Sequence, residues 1–111
     1  MNQDIIDRSV FDELCATTGV DFVRELASTF IEEAPALLVE LRAAHAAQDA
    51  DAFRRAAHSL KSNALTFGAQ RLSEVAREHE KVGLPLGEYQ GEEIEQAFAE
   101  ASAALRGLCD G

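Results

Sequence analysis

Tryptophan is absent from the sequence, tyrosine occurs once, and cysteine and proline occur twice each. Cys15 and Cys109 lie far apart and outside any Cys-x-x-Cys spacing. That excludes a disulfide framework and a zinc knuckle and fits reduced thiols, with a chance terminal disulfide left open. Long apolar runs are missing too. The first 20 residues carry five charged side chains and no signal-peptide core, and no later segment approaches a membrane span. Basic residues are scarce, with 10 Lys and Arg against 20 Asp and Glu and a formal net charge of −10. Sequence-independent binding to nucleic acid or to an anionic membrane needs the opposite balance, so the partner to expect is a protein. No stretch alternates Val, Ile and Thr as a half-buried strand would.

What remains is 47% hydrophobic and 27% charged, enough to bury a core of ordinary size over 111 residues. The expectation is one all-α domain over residues 1–111, cytoplasmic and monomeric. A short element over about residues 9–17 carries Val10, Phe11 and Leu14 on one stripe, with Ser9 placed to cap it. The next helix runs over about residues 21–47, with Phe22, Leu26, Phe30, Leu37, Leu41 and Ala44 at three- and four-residue steps. Pro35 falls inside it and predicts a bend over 32–34, not a break into two helices. Asp49 or Asp51 can cap a third helix whose inward positions are Phe53, Ala57, Leu60, Ala64 and Phe67 and which Gly68 ends. A fourth helix over about 69–81 places Leu72, Val75, Ala76 and Val82 inward. After the Gly/Pro-rich stretch 83–87, a last helix over about 91–108 turns Ile94, Phe98, Ala101 and Leu105 inward. Four long amphipathic helices with short joints predict an antiparallel up-down-up-down four-helix bundle, with the first short helix as a cap on one end.

On the third helix, the face opposite the apolar seam carries Arg54 or Arg55, His58, Lys61, Ser62 and Leu65, so His58 points toward water. From Arg54 to Lys81 six basic residues meet three acidic ones, an island of +3 in a chain whose remainder is −13. Such an island around an imidazole would stabilise a phosphoryl group or a partner's acidic pocket. On charge alone, a solvated helix face laced with i,i+4 ion pairs explains it equally well. Lys61 lies one turn from His58, where an ammonium can reach oxygens attached to the imidazole. Ser62 is small and leaves approach to the ring open, and Leu65 offers apolar area for a docking partner to cover.

The run Ala57-His58-Ser59-Leu60-Lys61-Ser62-Asn63-Ala64, followed by Gly68-Ala69 and Leu72, closely resembles the signature of histidine-containing phosphotransfer domains. The resemblance extends over essentially the whole chain. It implies a four-helix bundle that relays phosphoryl groups between the aspartates of response-regulator receiver domains in multistep two-component signalling, with a hybrid histidine kinase upstream. It makes His58 the phosphoacceptor and Lys61 the residue that offsets phosphoryl charge, with Arg54, Arg55, Ser62 and Leu65 around the docking face. Ser62 stands where the family usually has glycine, and Asn63, where the family has serine, falls on a less exposed part of the wheel. In some members a neighbouring helix supplies a Glu or Gln to the active imidazole, a position that corresponds to Glu80.

A neutral imidazole presents a lone pair that can attack an aspartyl phosphate in line. The chain would need no cofactor of its own, since Mg²⁺ belongs to the partner receiver. There is no Gly-rich phosphate loop and no kinase motif set, so the protein is expected not to phosphorylate itself. No metal site is expected: His45 lies near a helix end, where it can meet the terminal carbonyls, and His79 reads as either a structural or a surface residue. The alternative function is an adaptor that docks on receiver or kinase domains without accepting phosphate.

Overall fold

The structure is a computed structural model that describes residues 5–85, 87–89 and 91–110. It contains five α-helices: α1 (Arg8–Thr18), α2 (Val20–Ala47), α3 (Ala50–Phe67), α4 (Gln70–Val82) and α5 (Glu92–Asp110). Among the described residues no strand forms; one isolated bridge joins Ile6 to Ala69. None of the helices is long and apolar enough to cross a membrane.

Local chemistry sets the helix ends. The cap of α1 is Asp7, not Ser9: its carboxylate accepts from the Ser9 amide at 3.0 Å and the Ser9 hydroxyl at 2.7 Å. Those two bonds favour the ionised acid and hold its pKa below the ordinary value. The carboxylate outcompetes the serine because it accepts both bonds and helps offset the positive helix N-terminus. Pro35 lies within an unbroken α2, so the single-helix expectation holds there. Gln48 ends α2 in the left-handed region, and Asp49 begins α3 by accepting from the Ala52 amide at 3.1 Å. Gly68 ends α3 at φ 76°, where a residue without Cβ is strongly favoured.

The core fills the space between these helices. Phe53, Ala57, Leu60, Ala64 and Phe67 of α3 are all buried, as are Ile94, Phe98, Ala101 and Leu105 of α5. The Phe30 ring lies 5.5 Å from that of Phe67 and 5.7 Å from that of Phe98, joining α2, α3 and α5. Two inward assignments fail. Phe22 is 52% exposed and Val82 66% exposed, whereas Val23 and Ala27 are buried. Each four-residue step drifts about 40° around a helix, so counting back from Phe30 in fours carries Phe22 off the buried face. Alternating steps of three and four lead to Ala27 and Val23 instead. On α4 the same drift carries the stripe from Leu72 and Val75 to His79, whose imidazole stacks on Phe53 at 5.8 Å.

Two packing contacts orient the chain around α3. Ahead of α1, the Asp7 amide donates to the Gly68 carbonyl at 2.8 Å. After α4, Tyr89 packs edge-on to Phe53 at 5.5 Å and its hydroxyl lies 2.9 Å from His79 Nε2. Burial pushes the phenol pKa up to about 12. His45 Nε2 lies 2.7 Å from the Gly87 carbonyl in the α4–α5 connection, so it bonds a loop carbonyl and not those of its own helix end.

Candidate functional site

Because the apolar seam of α3 is buried against its neighbours, the opposite face of the helix is turned outward, and His58 stands on it with 59% of its side chain exposed. Helix α4 packs beside α3 with the chain running the other way. His58 and Lys61 both meet Glu80, while a Cβ on Gly83 would come 3.0 Å from an Arg54 guanidinium nitrogen, so Arg54 lies across the end of α4. This register brings His58, Lys61 and Glu80 together.

Glu80 bridges the other two. One carboxylate oxygen, Oε2, lies 2.9 Å from His58 Nδ1, and the other, Oε1, lies 2.6 Å from Lys61 Nζ. The Lys61 ammonium holds the Glu80 carboxyl below its ordinary pKa, and the bond with His58 acts in the same direction against partial desolvation. An ionised carboxylate only accepts hydrogen bonds, so the proton of the neutral imidazole belongs on Nδ1. The lone pair is then on Nε2. The arrangement therefore fixes both the tautomer and the ring orientation of an exposed imidazole.

The remaining residues read from the sequence are distributed as follows. Arg54 and Arg55 are exposed one turn before His58, and Ser62 and Leu65 are exposed beyond it. Asn63 is exposed, not on a less exposed part of the helix; it lines a groove against α2 with Ser59, Thr66 and Glu33. Lys61 is 25% exposed, with its ammonium paired to Glu80 beside the imidazole. No helical spacing in the sequence predicts that ion pair. The opposite charges of Lys61 and Glu80 were visible, but the register of α3 on α4 that joins them was not.

A family model described as Hpt domain matches residues 25–108, a stretch that takes in most of α2 and all of α3 and α4. Over 76 residues the chain is 33% identical to the phosphorelay protein LuxU of Vibrio harveyi, an alignment covering 68% of this chain and 67% of that protein. No solved structure matches the chain.

Proposed function

Since the chain belongs to the Hpt domain family and its similarity to a phosphorelay protein supports a phosphotransfer role, we propose that His58 is the residue that carries the phosphoryl group. It accepts that group from a receiver-domain aspartate and passes it to another receiver aspartate. The observation that carries this reading is the bond between His58 Nδ1 and Glu80, which leaves the nucleophilic Nε2 on the outward side of the ring. We also take the chain as a single cytoplasmic, monomeric domain in which α2 to α5 run up-down-up-down and α1 caps one end. Cross-contacts between Arg42 and Glu95 and between Arg24 and the Cys109 carbonyl support opposite directions for α2 and α5.

In the forward step the Nε2 lone pair attacks phosphorus in line, the N–P bond forms, and the P–O bond to the donor aspartate breaks with its electron pair returning to that carboxylate. Because Nδ1 keeps its proton, the phosphorylated ring is cationic, and the Glu80 carboxylate already in contact with Nδ1 offsets that charge. Lys61 lies on the same face, one turn along, where its ammonium offsets charge on the phosphoryl oxygens. Mg²⁺ held by the receiver supplies further charge neutralisation, and this chain provides no ligand for it. Reversal of the same step returns the phosphoryl group to a second receiver, with direction set by which receivers are phosphorylated.

Receiver domains from the same genome, charged with acetyl phosphate and mixed with the protein, test the reading by intact mass at neutral pH. A gain of one acid-labile phosphoryl mass is the expected result. Binding without any gain would instead support the adaptor. Replacing Lys61 by Ala is expected to slow transfer from saturating charged receiver by roughly tenfold to a hundredfold, with receiver affinity changed less than about threefold. Rapid-quench kinetics of the receiver's loss of phosphate measure this, and an unchanged rate would remove Lys61 from the mechanism.

A further inference from the structure

A second concave site lies apart from His58. The flank of α4 that carries Val75, His79 and Val82 meets Phe53 of α3, the connection after α4 and the start of α5 around a cavity of about 480 Å³. That volume falls in the range of small-molecule pockets, about 300–1,000 Å³. Four consecutive segments contribute to its wall, so it is bounded on more than one side. His58, Lys61 and Glu80 do not line it; Glu80 meets the other two instead.

The floor of the cavity is apolar even where it carries polar atoms. Phe53, Val75, Val82, Pro85 and Tyr89 supply carbon surface. The Val75 carbonyl only accepts, so the proton of the neutral His79 ring sits on Nδ1, 2.9 Å from that oxygen, and Nε2 accepts from the Tyr89 hydroxyl at 2.9 Å. These two side chains use up each other's hydrogen-bonding protons and keep none to offer a ligand. Val82 lines the cavity yet is 66% exposed, which leaves carbon surface in water for a ligand to cover.

The rim has one sign of charge. Glu74, Glu78 and Glu88 are exposed and, among the described residues, form no ion pair. Glu93 is paired with Arg71 at 3.4 Å, so four carboxylates against one guanidinium leave the lining at −3. Exposed carboxylates are ordinary on a chain with 20 Asp and Glu; here they enclose a carbon floor. Among the described residues no three His, Cys, Asp or Glu are grouped so as to hold a metal ion, and the negative charge is spread around a space instead of converging on a point. We propose that this cavity binds a small organic cation with an apolar body, which lies on Phe53, Val82 and Tyr89 while its ammonium or guanidinium faces Glu74 and Glu78. Covered carbon surface and the electron-rich ring faces supply affinity, and the rim selects the sign of the ligand. The inference is independent of the relay reading.

Tryptamine is a direct probe, because the chain has no Trp and indole fluorescence is read without background. Titrated at low salt with the full chain, it is expected to bind saturably with a Kd of about 0.1–1 mM, ordinary for so small a ligand. Amide shifts in ¹H–¹⁵N NMR should centre on Val75, His79, Val82 and Tyr89. Indole-3-propionate keeps the ring and reverses the charge, methylammonium keeps the charge without the ring, and each should bind at least about tenfold more weakly. Glu74→Gln/Glu78→Gln should weaken tryptamine binding about fivefold or more, and Val82→Arg, a cation at the exposed apolar position, about tenfold. The control Glu13→Gln/Glu25→Gln should stay within about twofold, and all three variants, changed at exposed positions, should melt as the parent does. No saturable binding, equal binding of indole-3-propionate, equal affinities in the two glutamine variants, or shifts centred elsewhere would overturn the proposal. So would a Lys-Trp-Lys peptide binding more than about tenfold tighter than tryptamine, which would make the occupant a basic protein segment. His58→Gln should bind tryptamine as the parent does, and loss of binding there would move the site to the His58 face and overturn it.

Discussion

Replacing His58 by Gln is expected to reduce phosphoryl acceptance from charged receivers by more than about 10³-fold, because no other side chain on this face offers an aligned lone pair. The fold should be indifferent to the change. His58 is 59% exposed and contributes nothing to the apolar seam of Phe53, Ala57, Leu60, Ala64 and Phe67. A glutamine amide can still donate to Glu80, so the Glu80–Lys61 ion pair keeps its surroundings and the docking face keeps its charge. Receiver affinity should therefore stay within about threefold of the parent, separating loss of chemistry from loss of binding. Time courses of phosphate transfer to the variant, set beside a binding isotherm, measure both quantities. Comparable labelling of the variant would mean that the phosphoryl group goes elsewhere.

The second large effect is on stability. Gly68 ends α3 at φ 76°, and a Cβ there would stand 2.9 Å from Val10 Cβ and 3.0 Å from the Asp7 carbonyl oxygen. Both objections apply at once: a side chain in the left-handed region, and a methyl group driven into α1 and the segment before it. Neither neighbour can swing aside, since the Asp7 oxygen is backbone and Asp7 donates its own amide to the Gly68 carbonyl. Gly68→Ala should lower the unfolding free energy by roughly 2–4 kcal/mol. Gly19→Ala supplies the comparison, because Gly19 also has positive φ, at 95°, but a Cβ there would meet nothing within 4 Å. Its cost should be the backbone strain alone, about 1–3 kcal/mol, since φ 95° with ψ 144° lies outside the left-handed helical region. Urea titrations of the two variants measure both losses, and a Gly68→Ala loss below about 1 kcal/mol would show that the contact with α1 carries no stability.

The sequence was most informative where one helix could be read by itself. The seam of α3 has a capping aspartate, a terminating glycine and apolar side chains at regular steps, so its buried face followed directly, and with it the outward placement of His58. Where the pattern offered two phases, local reading chose badly. Phe22 and Val82 are large and apolar, but the helical drift places Val23 and His79 on the inward side. A histidine on the buried stripe of α4 is tolerable only because both ring nitrogens have partners, the Val75 carbonyl and the Tyr89 hydroxyl. Those partners come from tertiary packing. The Glu80 bridge belongs to the same class, since it depends on how far α4 slides along α3, and no helical periodicity encodes that distance. Likewise the excess positive charge between Arg54 and Lys81 was plain in the sequence, but only the structure separates the cations that are paired from those that are not.

In the proposed relay His58 carries the phosphoryl group on Nε2, with Nδ1 held by Glu80. Nitrogen-15 and phosphorus-31 NMR of the ¹⁵N-histidine-labelled protein, recorded after transfer from a charged receiver, tests this most directly. The predicted result is a single phosphoramidate whose phosphorus couples to Nε2 of His58, with a proton remaining on Nδ1. A phosphoryl group on Nδ1 of His58, on His45 or His79, or on no histidine at all would contradict it.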